Sequence, residues 1–132
     1  MVLVDVLRAG VTGVIAEGAL ESCGIIVNKN KIPGDTKSAL VCSGMRLGTN
    51  SLALRGMGVR EMARCVELID RALGAVEVLG DREYRLSEAV AAAVRAEVER
   101  LCGEFPLPFY ALDLEAQTVS YTHLTLPTIY SV

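Results

Sequence analysis

The run Ser43-Gly44-Met45-Arg46-Leu47-Gly48-Thr49 constrains this chain more than any other stretch. Gly44 and Gly48 close off a short strand, Met45-Arg46-Leu47, so a sheet built on it stays small. A small sheet needs helices against it to bury a core. The same run sets one arginine between two glycines in an apolar strand, which holds a guanidinium fork still at the edge of a pocket.

The flanking segments supply what such a sheet requires. Val2-Leu3-Val4-Asp5-Val6 reads as a short buried strand rich in β-branched residues. Thr12 is placed to cap a helix over about 13–23, with Gly24 at its C-terminal end. Ile25-Ile26-Val27 is a second strand. Residues 28–42 hold Asn28, Asn30, three lysines, Pro33, Gly34 and Asp35 and read as a long loop, of a length that tends to carry function. Met62, Val66, Ile69 and Leu73 follow the 3.6-residue period, with Arg60, Glu61, Arg64, Glu67, Asp70 and Arg71 opposite, and Gly74 ends this helix. Residues 75–86 are ambiguous. A last helix spans about 87–102: Ser87 caps it, Val90, Val94, Val98 and Leu101 line one face, and Gly103 and Pro106 stop it. The order β-α-β-loop-β-α-α predicts an α+β fold, a short sheet packed against helices.

Composition narrows the class. At 132 residues, with 52% hydrophobic residues and a mean hydropathy of +0.40, the chain is long and apolar enough for one globular core. Its apolar runs are well short of a membrane span. Asp5 and Arg8 interrupt the opening too early for a signal peptide. The net charge of −3 hides an asymmetry, +3 over residues 1–60 and −6 over residues 61–132. All three lysines, Lys29, Lys31 and Lys37, sit in one loop, which argues against a broad nucleic-acid-binding face. Cys23, Cys42, Cys65 and Cys102 form no CxxC pair, so a metal site is not expected. Cys23 and Cys65 read as small buried hydrophobes, and scattered free thiols fit a reducing cytoplasm.

Val119-Ser120-Tyr121-Thr122-His123-Leu124-Thr125-Leu126-Pro127-Thr128 changes character abruptly, with no charge after a charge-rich stretch. It looks like a translated library adapter. Residues 118–132 are therefore set apart from a domain over 1–117, as a scar would be. The alternative is a terminal strand, since Thr, Tyr and Leu favour β structure. His123 is the only histidine, so residues 1–117 have no histidine for acid–base or metal chemistry.

Taken in order, the motifs resemble the C-terminal small domain of serine hydroxymethyltransferase, a fold-type I pyridoxal-phosphate enzyme family. Val2 to Val6 looks like its Leu-Val-Asp strand. Gly10-Val11-Thr12-Gly13, Ala16-Glu17 and Leu20 look like its Leu-Thr-Gly-x-x-Ala-Glu-x-x-Leu helix. Cys23 to Asn30 is similar to its Ala-Gly-Ile-x-Val-Asn-Lys-Asn. Pro33-Gly34-Asp35 with Lys37-Ser38-Ala39-Leu40 resembles the loop of eukaryotic members. The Ser43 to Thr49 run matches Ser-Gly-x-Arg-x-Gly-Thr, and Arg55-Gly56 matches the pair after it. Leu101-Cys102 and Phe105-Pro106-Leu107 look like the family's ending. Asn50, Cys42 and Met57 depart from the usual Pro, Thr and Phe.

The resemblance implies reversible hydroxymethyl transfer between serine and tetrahydrofolate, in the cytoplasm, with pyridoxal 5'-phosphate as cofactor. It implies that Arg46 binds the substrate carboxylate and that Asn30 faces the folate, with Ser43, Gly44, Gly48, Thr49 and Arg55 supporting. The residues alone leave Arg46 open as a salt-bridged strand arginine and Asn30 as a turn residue. The lysines fit a solvated loop or a polyglutamate tail. The Schiff-base lysine and phosphate-binding residues are expected on a larger N-terminal domain, so the chain alone is expected to be inactive. A homodimer or homotetramer is expected, with no nucleic-acid or membrane partner. The departures admit a related aldolase or an α-methylserine hydroxymethyltransferase, and a non-catalytic binding module is the alternative of another class.

Overall fold

The computed structural model describes residues 1–108 and the pair Ile129–Tyr130. The chain opens with strand β1 (Val2–Asp5), passes a 3-10 turn (Val6–Ala9) and enters helix α1 (Gly13–Ser22). Strands β2 (Ile25–Ile26) and β3 (Asn28–Asn30) follow, then a long loop and strand β4 (Gly44–Leu47). A short helix α2 (Asn50–Leu54) precedes the long helix α3 (Val59–Gly74). A hairpin of β5 (Val76–Val78) and β6 (Tyr84–Leu86) leads into helix α4 (Glu88–Glu104). Strand β7 (Ile129–Tyr130) runs parallel to β2. The architecture is α+β, as the motif order predicts: β4 is central in an antiparallel sheet ordered β1-β4-β3.

Local chemistry accounts for α1 and its place. Thr12 is extended and its Oγ accepts the Ile15 N–H at 3.5 Å, a long capping bond. Gly24 takes φ +82 after the helix, a left-handed conformation suited to glycine. Gly13, Ala16 and Ala19 are buried, and these small residues let α1 lie close against both β3 and α3. Helix α3 in turn packs on α4. Ile15, Leu20, Ile25, Leu68, Val94 and Val98 are fully buried in the shared core. Each such side chain contributes about 1.5–3 kcal/mol by leaving water.

Several sequence expectations shift. The first residues of the supposed 28–42 loop form β3, because pairing with β4 overrides the poor strand propensity of Asn and Lys. The ambiguous 75–86 stretch is the β5–β6 hairpin. In α3 the buried stripe is Cys65, Leu68 and Ala72, flanked by Met62, Ile69 and Leu73. Val66, expected on that stripe, is 62% exposed, since the small Cys65 and Ala72 are the residues that meet the neighbouring helices. Ser87 precedes α4 but makes no capping bond through its side chain, and Gly103 lies within the helix. Cys23 and Cys65 are buried and free, as expected, and so are Cys42 and Cys102. Residues 118–128, including His123, lie outside the described residues, while Ile129–Tyr130 forms the short ladder with β2.

Candidate functional site

Alternation along β4 decides which residues face outward. Met45 is buried and pairs with Val4 on one side and Lys29 on the other. A Cβ on Gly13 would touch the Lys29 Cβ at 3.2 Å, so this face of the sheet is covered by α1. Gly44 and Arg46 therefore lie on the opposite face. Arg46 stands directly across from Leu3 on β1 and Asn28 on β3. Leu3, on this side, remains 43% exposed.

Arg46 is half-buried, yet its Nε is fully buried and makes no hydrogen bond to any described residue. None of the ion pairs among the described residues includes Arg46. A buried, unsatisfied donor costs about 1–3 kcal/mol, and more when charged. The planar guanidinium fork has the shape that matches a two-oxygen anion. Among the described residues, the expected alternative of a salt-bridged strand arginine finds no acidic partner for Arg46.

The strand reaches that geometry through close packing. A Cβ on Gly44 would lie 2.6 Å from Ile32 Cγ2 and 2.7 Å from the Asn30 carbonyl oxygen, so only glycine fits. Ile32 thus lies over Gly44 on the Arg46 face. Ser43, at the start of β4, is 1% exposed. Its carbonyl accepts the Val6 and Leu7 N–H groups at 3.1 and 3.3 Å. Its N–H and hydroxyl donate to Asp35 at 2.9 and 2.7 Å. Asp35 also accepts from the Ile32 and Lys37 N–H groups at 3.2 and 2.8 Å. Loss of water around Asp35 raises its carboxyl, but the Ser43 hydroxyl and the three backbone donors outweigh this and hold it well below the usual carboxylate range. Cys42, just before Ser43, adopts φ +60, a left-handed conformation for a residue with a Cβ.

The remaining expected site residues divide clearly. Asn30 shares the outer face with Gly44 and Arg46, and its Nδ2 donates to the Lys31 carbonyl at 2.8 Å. Ser43 and Gly48 are buried beneath the strand ends. Thr49 is exposed before α2 with no capping bond from its side chain. Arg55 points elsewhere: its Nη1 donates to the Cys102 and Phe105 carbonyls at 3.4 and 2.9 Å, anchoring the end of α4. Lys29 pairs with Glu17 at 3.7 Å and Lys37 with Asp81 at 2.9 Å, while Lys31 is exposed. Among the described residues, no three His, Cys, Asp or Glu side chains come together as a metal site.

Two residues, one opposite Arg46 and one in the loop before β4, were missed by sequence reasoning. Asn28 stands opposite Arg46, which only the register reveals. Asp35 reads in sequence as one turn residue among Pro33 and Gly34, and only the fold shows its four donors. The family model for serine hydroxymethyltransferase matches residues 1–69, just over half of the chain and all of the arginine-bearing sheet.

Proposed function

The chain belongs to the serine hydroxymethyltransferase family, and from that premise we propose that it forms the substrate-carboxylate side of an enzyme moving a hydroxymethyl group between serine and tetrahydrofolate. Arg46 carries the reading. Its buried Nε lacks a partner among the described residues and belongs to a side chain on the open face of the central strand. A carboxylate docked on this fork supplies the missing acceptor. Each charge-assisted bond is worth about 1.5–3 kcal/mol. The docked carboxylate also fixes how the substituents on the substrate's Cα are directed, and positioning of this kind becomes rate. Asn30, on the same face, offers an amide that donates and accepts, which suits the edge of a folate ring.

The family is generally dependent on pyridoxal phosphate, and the described residues do not make a seat for it. Such a seat calls for a free lysine and an anion cradle. Lys29 and Lys37 are engaged in ion pairs and Lys31 stands exposed. Two spaces between α3 and α4 are lined by Arg71, Gly74 and Val90, and by Arg60, Glu97 and Phe105, with no lysine in either. On this reading the cofactor is held by a part of the enzyme outside these residues, and the chain alone is expected to be inactive on serine. The four buried free thiols support a reducing, cytoplasmic setting.

The test is product formation by an enzyme carrying these residues together with a cofactor-bearing part. Serine with tetrahydrofolate is expected to give glycine and methylenetetrahydrofolate faster than α-methylserine reacts, and faster than a β-hydroxy amino acid is cleaved without folate. A clear preference for either of the latter two substrates would replace the serine reaction with that rival. No turnover of any of them would remove the reading.

A further inference from the structure

We infer that Asp35 is a positioning residue for Arg46, acting through Ser43 and Ile32 rather than touching substrate; the inference rests on the carboxylate-clamp reading above.

Asp35 receives hydrogen bonds from both ends of the segment that leads into β4. Its Oδ2 accepts from Ile32 N at 3.2 Å and from Ser43 N at 2.9 Å. Its Oδ1 accepts from Lys37 N at 2.8 Å and from the Ser43 hydroxyl at 2.7 Å. One carboxylate therefore ties residue 32 to residue 43, eleven positions apart in the chain. Both tied residues bear on Arg46. Ser43 is the residue from which β4 departs, three positions before the arginine, and it is also held by Val6 and Leu7 through its carbonyl. Ile32 covers Gly44, two positions before Arg46 and on the face that Arg46 shares. Releasing Asp35 frees the start of the strand and its cover together.

The neighbouring contacts make the dependence on Asp35 specific. Lys37, whose N–H Asp35 accepts, reaches on to Asp81 at 2.9 Å, and Asp81 also accepts the Thr12 hydroxyl through its carbonyl at 2.7 Å. The loop is thus pinned at its outer end by the β5–β6 turn. Cys42 N donates to the Ser38 carbonyl at 2.8 Å, which closes the turn before the strand. Of these contacts, only those of Asp35 reach both Ser43 and the flank over Gly44.

The experiment uses the full 132-residue chain and sodium acetate as a carboxylate probe, with the Arg46 Nε–H resonance as the readout. Each protein is measured well below its own thermal midpoint, so that loss of fold and loss of position are separate observations. In the unsubstituted chain the resonance is expected to shift saturably with acetate. Asp35→Asn replaces an all-acceptor group by one that turns an NH2 toward N–H donors, and misplacing the fork is expected to weaken acetate binding by about tenfold or more. Ser43→Ala removes one bond of the four and keeps the backbone ties, so a loss of about threefold to tenfold is expected. If Asp35→Asn does not fold, Ser43→Ala decides. An unsubstituted chain whose Arg46 resonance ignores acetate would overturn the clamp reading, and the positioning role with it. A normal response in the unsubstituted chain and unchanged affinity in the folded variants would overturn the positioning role alone, since a purely structural Asp35 lowers the midpoint without moving the probe affinity.

Discussion

Gly13 in α1 and Gly44 in β4 meet in a close approach between helix and sheet: a Cβ built on Gly13 would lie 2.5 Å from the Gly44 carbonyl oxygen. No side chain can yield there, because the obstacle is backbone. The Gly13 N–H also donates to the Cys42 carbonyl at 2.9 Å, so the helix start and the strand start are one unit.

Gly13→Ala is therefore expected to destabilise the chain, against the usual gain of helix propensity from alanine. Overpacking of this kind costs about 1–3 kcal/mol. At about 4–8 °C per kcal/mol for a domain of roughly this size, the fall in thermal midpoint is readily measured. An unchanged or raised midpoint would show that α1 is free to move off the sheet.

Acid should loosen the loop through Asp35. Its carboxyl in the folded chain takes a proton at a lower pH than in the unfolded chain. The unfolded state then binds more protons over that range, so stability rises with pH. The contribution is fully present above the ordinary carboxylate value of about 3.9 and is lost as the pH falls below it toward the folded-state value. Denaturant titrations between about pH 6 and pH 3 should show a shallower slope for Asp35→Asn than for the unsubstituted chain. Equal slopes would mean that the four hydrogen bonds do not discriminate between the two protonation states.

Arg55 is expected to act on stability. Its guanidinium donates to the last carbonyls of α4, a favourable place for a cation. Arg55→Ala should cost about 1.5–3 kcal/mol, the scale of hydrogen bonds to a charged group, and lower the thermal midpoint. In the assembled enzyme the apparent affinity for serine should hold. A stable Arg55→Ala protein with weakened serine binding would move this arginine into the substrate site.

What the sequence disclosed follows from what is local. Thr12 and Gly24 bounded α1, Gly74 marked the end of α3, and the helical period disclosed α3 and α4, because each depends on near neighbours in the chain. The strand of Arg46 was legible for the same reason, through its flanking glycines. Register was not. Asn28 opposite Arg46, and Lys29 turned to Glu17 rather than into a cluster of lysines, depend on how β3 pairs with β4. Nor was the reach of Asp35, since a carboxylate among turn residues looks alike whether it meets water or four protein donors. Val66 went to solvent because helix–helix contact selected the small Cys65 and Ala72, a choice made by the partner helix and not by the period.

The carboxylate clamp is tested most directly by Arg46→Lys in the assembled enzyme, with kcat/KM for serine as the measurement. Lysine keeps the charge but not the planar fork. One bond of the pair is lost, on the order of 1.5–3 kcal/mol, which corresponds to roughly tenfold to a hundredfold. The predicted result is a fall of that size in kcat/KM for serine with pyridoxal-phosphate content unchanged, because Arg46 is proposed to hold the substrate carboxylate and not the cofactor. Unaltered serine affinity and turnover in Arg46→Lys would contradict the account at its centre.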